Sequence, residues 1–204
     1  MVKNIKIDGY EIDPKIVEVA RDYFGMNMKQ LTVYTQDGRW GLSTSKQTYD
    51  IVSIDAYRPP YIPWHLTTRE FFQVVYDHLN SNGVMVINVG RGMSDRRLID
   101  SLGSTILSVF PTIHVMDLPN SFNSIIFATV QPTEPSNLLE NYQLLINQSD
   151  INPLLLDTMA ITIQNIAEEP KKTRIFTDDL APIEWLTNSM IVNFFLSGDM
   201  EELQ

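Results

Sequence analysis

Short apolar runs alternate with amphipathic segments through most of the chain, and this alternation is what most constrains the fold. Runs typical of strands lie at residues 2–11, 31–35, 49–55, 84–89, 112–117 and 124–130. Helical spacing of apolar residues is found at 13–25, 68–79 and 94–110. Strands that alternate with helices build a mostly parallel sheet, and the short turn before the last strand makes that strand antiparallel. The predicted fold class is therefore α/β.

The pattern changes after residue 132. Three helices are predicted near residues 135–147, 153–166 and 182–195, with a loop around 171–179. A chain of 204 residues with 44% hydrophobic content is long enough for one sizeable core. We therefore predict an α/β domain at residues 1–132, followed by a helical extension at 133–204 that packs on the same domain.

Composition excludes several classes of function. With 25 acidic and 15 basic residues, the formal net charge is -10, which disfavours a nucleic-acid partner and is compatible with a cationic small molecule. Cysteine is absent, so neither disulfides nor thiolate catalysis is available. No apolar run approaches the roughly 20 residues of a membrane-spanning helix, and a cytoplasmic protein is expected. A membrane-anchored segment in a longer parent protein is left open.

The apolar run at residues 50–55 ends in an acid, Asp55, and a loop with three prolines follows it. Thr67 or Thr68 can then cap the next helix. This places Asp55 at the carboxyl end of a strand, where open α/β sheets bind their ligands. Residues 55–72 resemble the loop after the fourth strand in the spermidine synthase-like (polyamine aminopropyltransferase) family, notably the bacterial branch that is often fused to membrane segments.

Two further segments carry the same resemblance. Residues 9–24 are similar to the family's second strand and following helix, in which the acid at the position of Glu11 accepts hydrogen bonds from the ribose hydroxyls of an adenosyl ligand. A carboxylate can accept from both hydroxyls of a vicinal diol. Asp37-Gly38 resembles the turn whose acid accepts a hydrogen bond from the adenine amino group. The resemblance therefore implies that Glu11, Asp37 and Gly38 bind the cofactor.

A late segment, residues 176–184, resembles a Thr-Asp-Asp-x-x-Pro element that lies close to the active-site cleft in the same family. The resemblance makes Asp178 and Asp179 candidates for the substrate pocket. The alternative is structural, because Thr177 or Asp179 can cap a helix that has Pro182 in its first turn.

The family resemblance implies a Rossmann-like methyltransferase fold and decarboxylated S-adenosylmethionine or S-adenosylmethionine as the cofactor that serves as substrate. In that fold a first strand and a Gly-rich loop precede the strand at residues 2–11, so the chain is expected to be amino-terminally truncated. Without a central strand, backbone on both neighbours would be unpaired, and a homo-oligomer is left open. His78 and His114 are separated from each other and from any carboxylate cluster, so no metal site is expected.

Aminopropyl transfer requires an amine that loses a proton and attacks the methylene carbon beside a sulfonium. Asp55 matches the first acid of the family's Asp-x-x-Asp element and is the predicted base. Arg58 stands where the second acid is found, and its guanidinium would repel a diamine, so the polyamine substrate is left open. Tyr57 and His65 lie in the same loop and are further pocket candidates, with loop packing as the alternative role.

Three functions are compatible with the sequence. The first is a spermidine synthase-like protein that, in its intact form, transfers an aminopropyl group from decarboxylated S-adenosylmethionine to a diamine. The second is a methyltransferase that uses S-adenosylmethionine. The third is a non-catalytic fragment or interaction module that keeps the scaffold, so enzymatic activity of this chain itself is left undecided.

Overall fold

The computed structural model describes residues 5–57, 61–92 and 94–197. In chain order the elements are β1 (Ile7–Glu11), α1 (Pro14–Tyr23), β2 (Leu31–Thr35), α2 (Gly38–Thr44), β3 (Tyr49–Ile54), α3 (Arg69–Asp77), β4 (Leu79–Gly90), α4 (Arg97–Leu107), β5 (Thr112–Asp117), β6 (Asn123–Thr129), α5 (Pro135–Leu145), α6 (Pro153–Gln164) and α7 (Ile183–Ser197), with a short 3-10 helix at Trp64–Leu66 before α3. The chain divides into two compact units, Met1–Gln47 and Thr48–Gln204.

The first unit is a parallel strand pair joined by a helix. β1 and β2 pair in register from Ile7 with Leu31 to Glu11 with Thr35, and α1 connects them. The N-cap of α1 is Asp13, whose side chain accepts a hydrogen bond from the Lys15 backbone N–H at 2.8 Å. The helix ends before Gly25, whose φ of 66° is a conformation that glycine adopts without steric cost.

The sequence analysis did not predict the short helix α2, which begins at Gly38, directly after Asp37. Asp37 is the N-cap of α2, and its Oδ1 accepts a hydrogen bond from the Trp40 backbone N–H at 2.8 Å. Burial of Gly41 and Leu42 stabilises this short helix. An Asp-Gly pair is a common turn sequence, and only these tertiary contacts extend it into a helix.

The second unit contains a four-stranded sheet in the order β3-β4-β6-β5. β3 and β4 are parallel, whereas β6 is antiparallel to both of its neighbours. α3 and α4 pack against each other and against β4. Met85, Ile87 and Val89 on β4 are fully buried, as are Phe72 on α3 and Ile99 on α4. This is the core of the unit, and it confirms the predicted α/β fold class and the antiparallel last strand.

β4 is longer than predicted. The sequence predicts a helix to residue 79 and a strand from residue 84, but the strand begins at Leu79, which pairs with Tyr49 before a register shift at residues 49–51. A Cβ on Gly83 would lie 2.8 Å from Leu79 Cβ and 2.9 Å from Asn80 O. Glycine is therefore required at the irregular part of the strand.

The helical extension belongs to the same unit as the four-stranded sheet. α5 packs on α6, and α7 packs on α4. The residues after α6 cover the edge of β5, where the Asp117 N–H donates to Asn165 O at 3.0 Å and the Ala167 N–H donates to Val115 O at 2.8 Å. The domain boundary predicted at residue 132 stays a prediction. Within the described ranges, no helix has both the length and the hydropathy needed to span a bilayer.

Candidate active site

Glu11 is the last residue of β1, and its partner on β2 is Thr35. Glu11 Oε1 accepts a hydrogen bond from the Asp13 backbone N–H at 2.8 Å, which orients the carboxylate at the start of α1. Among the residues that the structure describes, Glu11 Oε2 has no hydrogen-bond partner. This oxygen is the one that can accept hydrogen bonds from a ligand.

Asp37 and Gly38 lie just after β2, where Asp37 caps α2. β1 and β2 are parallel neighbours, so the structure brings Glu11 and Asp37 to the same edge of the two-stranded sheet. A Cβ on Gly38 would lie 3.8 Å from Tyr10 Cβ, an ordinary contact. The first unit therefore presents two carboxylates and the backbone of a helix N-terminus at one edge.

Asp55 follows β3 directly and is exposed, as the sequence predicted for the carboxyl end of a strand. Its Oδ1 accepts a hydrogen bond from Asn88 Nδ2 at 3.0 Å. The register of β3 with β4 pairs Ile54 with Ile87, which places Asn88 beside Asp55. The sequence analysis missed Asn88, although a polar residue between the fully buried Ile87 and Val89 was the signal that could have identified it.

Tyr57 lies two residues after Asp55 and is half-buried. Its hydroxyl donates to the backbone carbonyl of Asn88 at 3.1 Å. Burial raises the pKa of Tyr57 to about 12; a hydrogen bond from the Gly90 backbone lowers it, and the negative charge of Asp55 raises it further. Tyr57 is therefore a neutral phenol at physiological pH, and it contacts the backbone of the residue whose side chain holds Asp55.

The Pro-rich loop is described only in part, because Arg58 lies outside the described residues. His65 is in the 3-10 helix, and its ring packs edge-on against Trp64 with a centroid distance of 5.8 Å. The Tyr61 hydroxyl donates to Asn188 Oδ1 at 2.7 Å, which ties this loop to α7. The predicted pocket role of His65 stays a prediction.

Asp178 connects the late acidic segment to the start of α3. It accepts a hydrogen bond from the hydroxyl of Thr68, the N-cap of α3, at 2.7 Å, and its own N–H donates to Glu70 Oε2 at 3.0 Å. Asp179 is exposed beside it. These contacts fix the position of the segment, and the predicted roles of both acids in substrate binding stay predictions.

Two guanidinium groups face one carboxylate beyond the end of β4. Arg96 Nη1 donates to Asp117 Oδ2 at 2.6 Å, the Ser124 hydroxyl donates to Oδ1 at 2.6 Å, and Arg91 Nε lies 3.7 Å from Oδ1. Burial acts to raise the pKa of Asp117, but the hydrogen bonds from Ser124 and Arg96 and the two positive charges outweigh it, so the pKa is lowered. The sequence analysis missed this cluster, whose members are up to 33 positions apart.

The chemistry available at these edges is acid–base and electrostatic. In residues 5–57, 61–92 and 94–197, no group of three or more His, Asp or Glu side chains could hold a metal ion. Two carboxylates in the first unit can accept hydrogen bonds from a ligand, and one exposed carboxylate in the second can accept a proton.

Comparison with known proteins gives a family match and several similar proteins. The spermine/spermidine synthase domain family matches residues 2–141. A probable polyamine aminopropyl transferase of Bifidobacterium longum is 33% identical over 89% of this chain and 44% of its own length. A polyamine aminopropyltransferase of Vibrio vulnificus is 30% identical over 88% of this chain and 61% of its own.

A solved spermidine synthase in complex with the transition-state analogue AdoDATO shares the fold, with a TM-score of 0.56 and 20% identity over 76% of this chain and 61% of that one. The chain thus spans between 44% and 61% of the length of these curated relatives. The family match covers well over half of the residues, including Glu11, Asp37 and Asp55. This chain therefore belongs to the spermine/spermidine synthase domain family.

Proposed function

We propose that this protein takes part in aminopropyl transfer from decarboxylated S-adenosylmethionine to an amine, with Asp55 as the general base. The observation that carries the proposal is the exposed Asp55 carboxylate at the end of β3, with one oxygen held by Asn88. Membership of the family supports the reaction type. The names of the relatives, polyamine aminopropyltransferases, support an amine as the acceptor.

The base must remove a proton from the acceptor before the acceptor can attack. The acceptor's ammonium group gives a proton to Asp55, and the resulting neutral amine attacks the methylene carbon next to the sulfonium. The new N–C bond forms as the C–S bond breaks, and the electron pair of that bond leaves with methylthioadenosine as a neutral thioether. Asp55 is then a neutral carboxylic acid, and it becomes a carboxylate again when it releases the proton, which restores the base.

The donor is assigned to the first unit. Glu11 Oε2 would accept hydrogen bonds from the ribose hydroxyls, and Asp37 would accept one from the adenine amino group, with Gly38 beside it. The residues fit an adenosyl group because Glu11 keeps one oxygen without a described partner while Asp13 orients the other. The carboxyl edge of adjacent parallel strands is where this fold class binds nucleotides.

The acceptor class is proposed only as an amine. A diamine such as putrescine would be held by carboxylates, for which Asp178 and Asp179 remain candidates, whereas Arg58 would oppose a second positive charge. Tyr57 and His65 remain candidates for contacts with the acceptor. Cytoplasmic location, assembly with another copy and a membrane-anchored segment in a longer parent protein also stay predictions.

The test compares Asp55→Asn with a matched control, Asp50→Asn. Asp50 is an exposed acid at the other end of β3, and its Oδ1 accepts from Asn80 Nδ2 at 2.7 Å, much as Asp55 accepts from Asn88. Methylthioadenosine release from decarboxylated S-adenosylmethionine and putrescine is followed by mass spectrometry. We expect Asp55→Asn to lower kcat by about 10²- to 10⁴-fold, the usual contribution of a general base, and Asp50→Asn to leave it unchanged.

The same assay separates the alternatives. Equal activity of Asp55→Asn and the parent protein would remove Asp55 as the base. A methylated product from S-adenosylmethionine, with no aminopropyl product from the decarboxylated donor, would replace the proposal with methyl transfer. No turnover of either donor by the folded parent protein would favour a non-catalytic module.

A further inference from the structure

The last helix, α7, is apolar on all of its sides, and Glu184 at its start is the one charged residue in its 15 positions. Its inner face, which includes Ile183, Leu186 and Met190, is buried in the second unit, where α7 packs on α4. A helix that is apolar all round is normally covered on every side. The outer face of α7 therefore calls for a partner.

The outer face carries a stripe of large apolar side chains, Trp185, Val192 and Leu196. Val192 lies seven positions after Trp185, and Leu196 four positions after Val192, so the helical period of 3.6 residues puts all three on the side opposite the buried face. Their exposed fractions are 69%, 54% and 79%. Phe195 flanks this outer stripe and is 63% exposed. Contiguous exposed apolar side chains of this kind mark interaction surfaces.

Two polar side chains lie within the outer stripe, and both have hydrogen-bond partners in their own chain. Asn188 Oδ1 accepts from the Tyr61 hydroxyl at 2.7 Å, and the Ser189 hydroxyl donates to Leu186 O at 2.7 Å. Both contacts can persist when the stripe is covered. Burial of the stripe therefore leaves neither of these oxygens without a partner.

The charge of the chain favours a second copy as the occupant. The outer stripe has no charged residue, whereas the whole chain carries a net charge of -10. An anionic membrane surface repels such a chain, and a basic partner would find no carboxylate within the stripe. Two copies can meet along this face because no like charges oppose each other there.

The exposed area is sufficient for a weak dimer. An aromatic side chain buries 150–250 Å² when it is fully covered, so two facing stripes with their flanking phenylalanines would bury on the order of 1,000 Å², near the lower limit of specific interfaces. Tryptophan is also one of the residues that most often dominate the binding energy of an interface.

We propose that two copies of this chain pair through the outer stripe of α7, about a two-fold axis that passes near Val192. Val192 lies towards the middle of the stripe, between Trp185 and Leu196. In such an isologous contact each stripe meets the same stripe of the other copy, so assembly stops at two. The pairing goes beyond aminopropyl transfer and requires no part of it.

Sedimentation equilibrium of the full chain, without any sulfonium donor, measures the pairing. The protein is followed from about 1 to 200 µM, a range chosen around a Kd on the order of 10 µM, as expected for so small an interface. We expect a reversible equilibrium between monomer and dimer, with no larger species.

Charge substitutions near the proposed axis locate the contact. We expect Val192→Glu and Val192→Lys each to raise the Kd at least about 100-fold, because like charges then face each other. An equimolar mixture of the two variants should form a dimer again, because opposite charges then meet. Leu154→Glu is the matched control, since Leu154 is a 70% exposed apolar residue on α6, and it should keep the parent's Kd.

The proposal is overturned if the folded parent chain stays monomeric over the whole range, if it forms species larger than a dimer, or if Val192→Glu pairs as tightly as the parent. Failure of the mixed variants to pair would also overturn it, as would an equal loss of pairing in Leu154→Glu. Circular dichroism of each variant establishes that it is folded. Because no donor is present, none of these results bears on aminopropyl transfer.

Discussion

At the scale of single residues, Asn88 determines how Asp55 presents its carboxylate. The Asn88 amide holds Oδ1 of Asp55, and its backbone carbonyl accepts from Tyr57. A base acts efficiently only when its accepting oxygen is directed at the proton it removes. Asn88 is therefore a positioning residue in the proposed reaction.

Substitution of Asn88 tests this role. We expect Asn88→Ala to lower kcat by about 10- to 100-fold, the effect of a small displacement of a catalytic group, with little change in KM. Asn80→Ala is the control, since Asn80 makes the equivalent contact to Asp50 at the other end of the strand pair. A purely structural role for Asn88 would instead lower the melting temperature and leave kcat per folded molecule and its pH profile unchanged. Asn88→Gln should recover part of the activity if the amide is what matters.

We expect His114 to make the stability of the second unit depend on pH. Burial lowers its pKa, and the charges of Glu134 and Glu169 oppose this only in part. Its Nε2 lies 2.9 Å from Thr133 Oγ1. At pH values between the two pKa values, the histidine is protonated in the unfolded chain and neutral in the folded protein. On acidification, the unfolded state therefore binds the proton first.

The stability contributed by neutral His114 is complete above the unfolded pKa, about 6.5, and is lost as the pH falls from there through the lowered folded value. We expect the free energy of unfolding in urea to decrease between pH 7.5 and pH 5.5, and the decrease to be smaller in His114→Gln. Parallel curves for the two proteins would show that His114 does not contribute. His65 and His78 are present in both chains, so they cancel in the comparison.

At the scale of elements, the start of α3 and the late acidic segment form one hydrogen-bonded unit. Thr68 is completely buried. Its Oγ1 accepts from the Phe71 N–H at 3.3 Å and donates to Asp178 at 2.7 Å. One hydroxyl thus caps a helix and fixes a segment 110 positions later in the chain.

Removal of that hydroxyl should destabilise the fold. We expect Thr68→Val to reduce the free energy of unfolding by about 1–3 kcal/mol, since it removes an N-cap and leaves the Asp178 carboxylate without this donor. Thr68→Ser should retain most of the stability. The measurement is urea unfolding followed by circular dichroism, and a Thr68→Val protein with the parent's midpoint would contradict the assignment.

The sequence predicted elements better than their ends and partners. The helix at Asp13-Pro14 and the strand that ends before Asp55 carry local capping and apolar signals, and both were predicted. Asn88 was missed because its contact with Asp55 depends on the register of β3 with β4. The start of β4 at Leu79 was missed because the Asn-rich stretch after it has the composition of a loop, and only pairing with Tyr49 makes it a strand.

At the scale of the whole molecule, the core is distributed unevenly. Of the buried hydrophobic residues, Val17 and Leu42 alone lie in Met1–Gln47 among the described positions, and the others lie in Thr48–Gln204. Several apolar side chains of the first unit are exposed, including Ile12 at 69%, Tyr23 at 79% and Phe24 at 80%. Stability that comes from apolar burial is therefore located mainly in the second unit.

A fragment of residues 48–204 should consequently fold without the first unit. It holds the four-stranded sheet and its covering helices, and it is well above the roughly 40 residues below which a core rarely suffices. A fragment of residues 1–47, with two strands and few buried apolar side chains, is expected to be largely unfolded. Far- and near-ultraviolet circular dichroism with urea titration tests both fragments. We expect a cooperative transition for 48–204, with a midpoint close to that of the full chain and a smaller m-value only in proportion to its length. A non-cooperative transition, or loss of the near-ultraviolet signal in 48–204, would show that the first unit is required for the core to form.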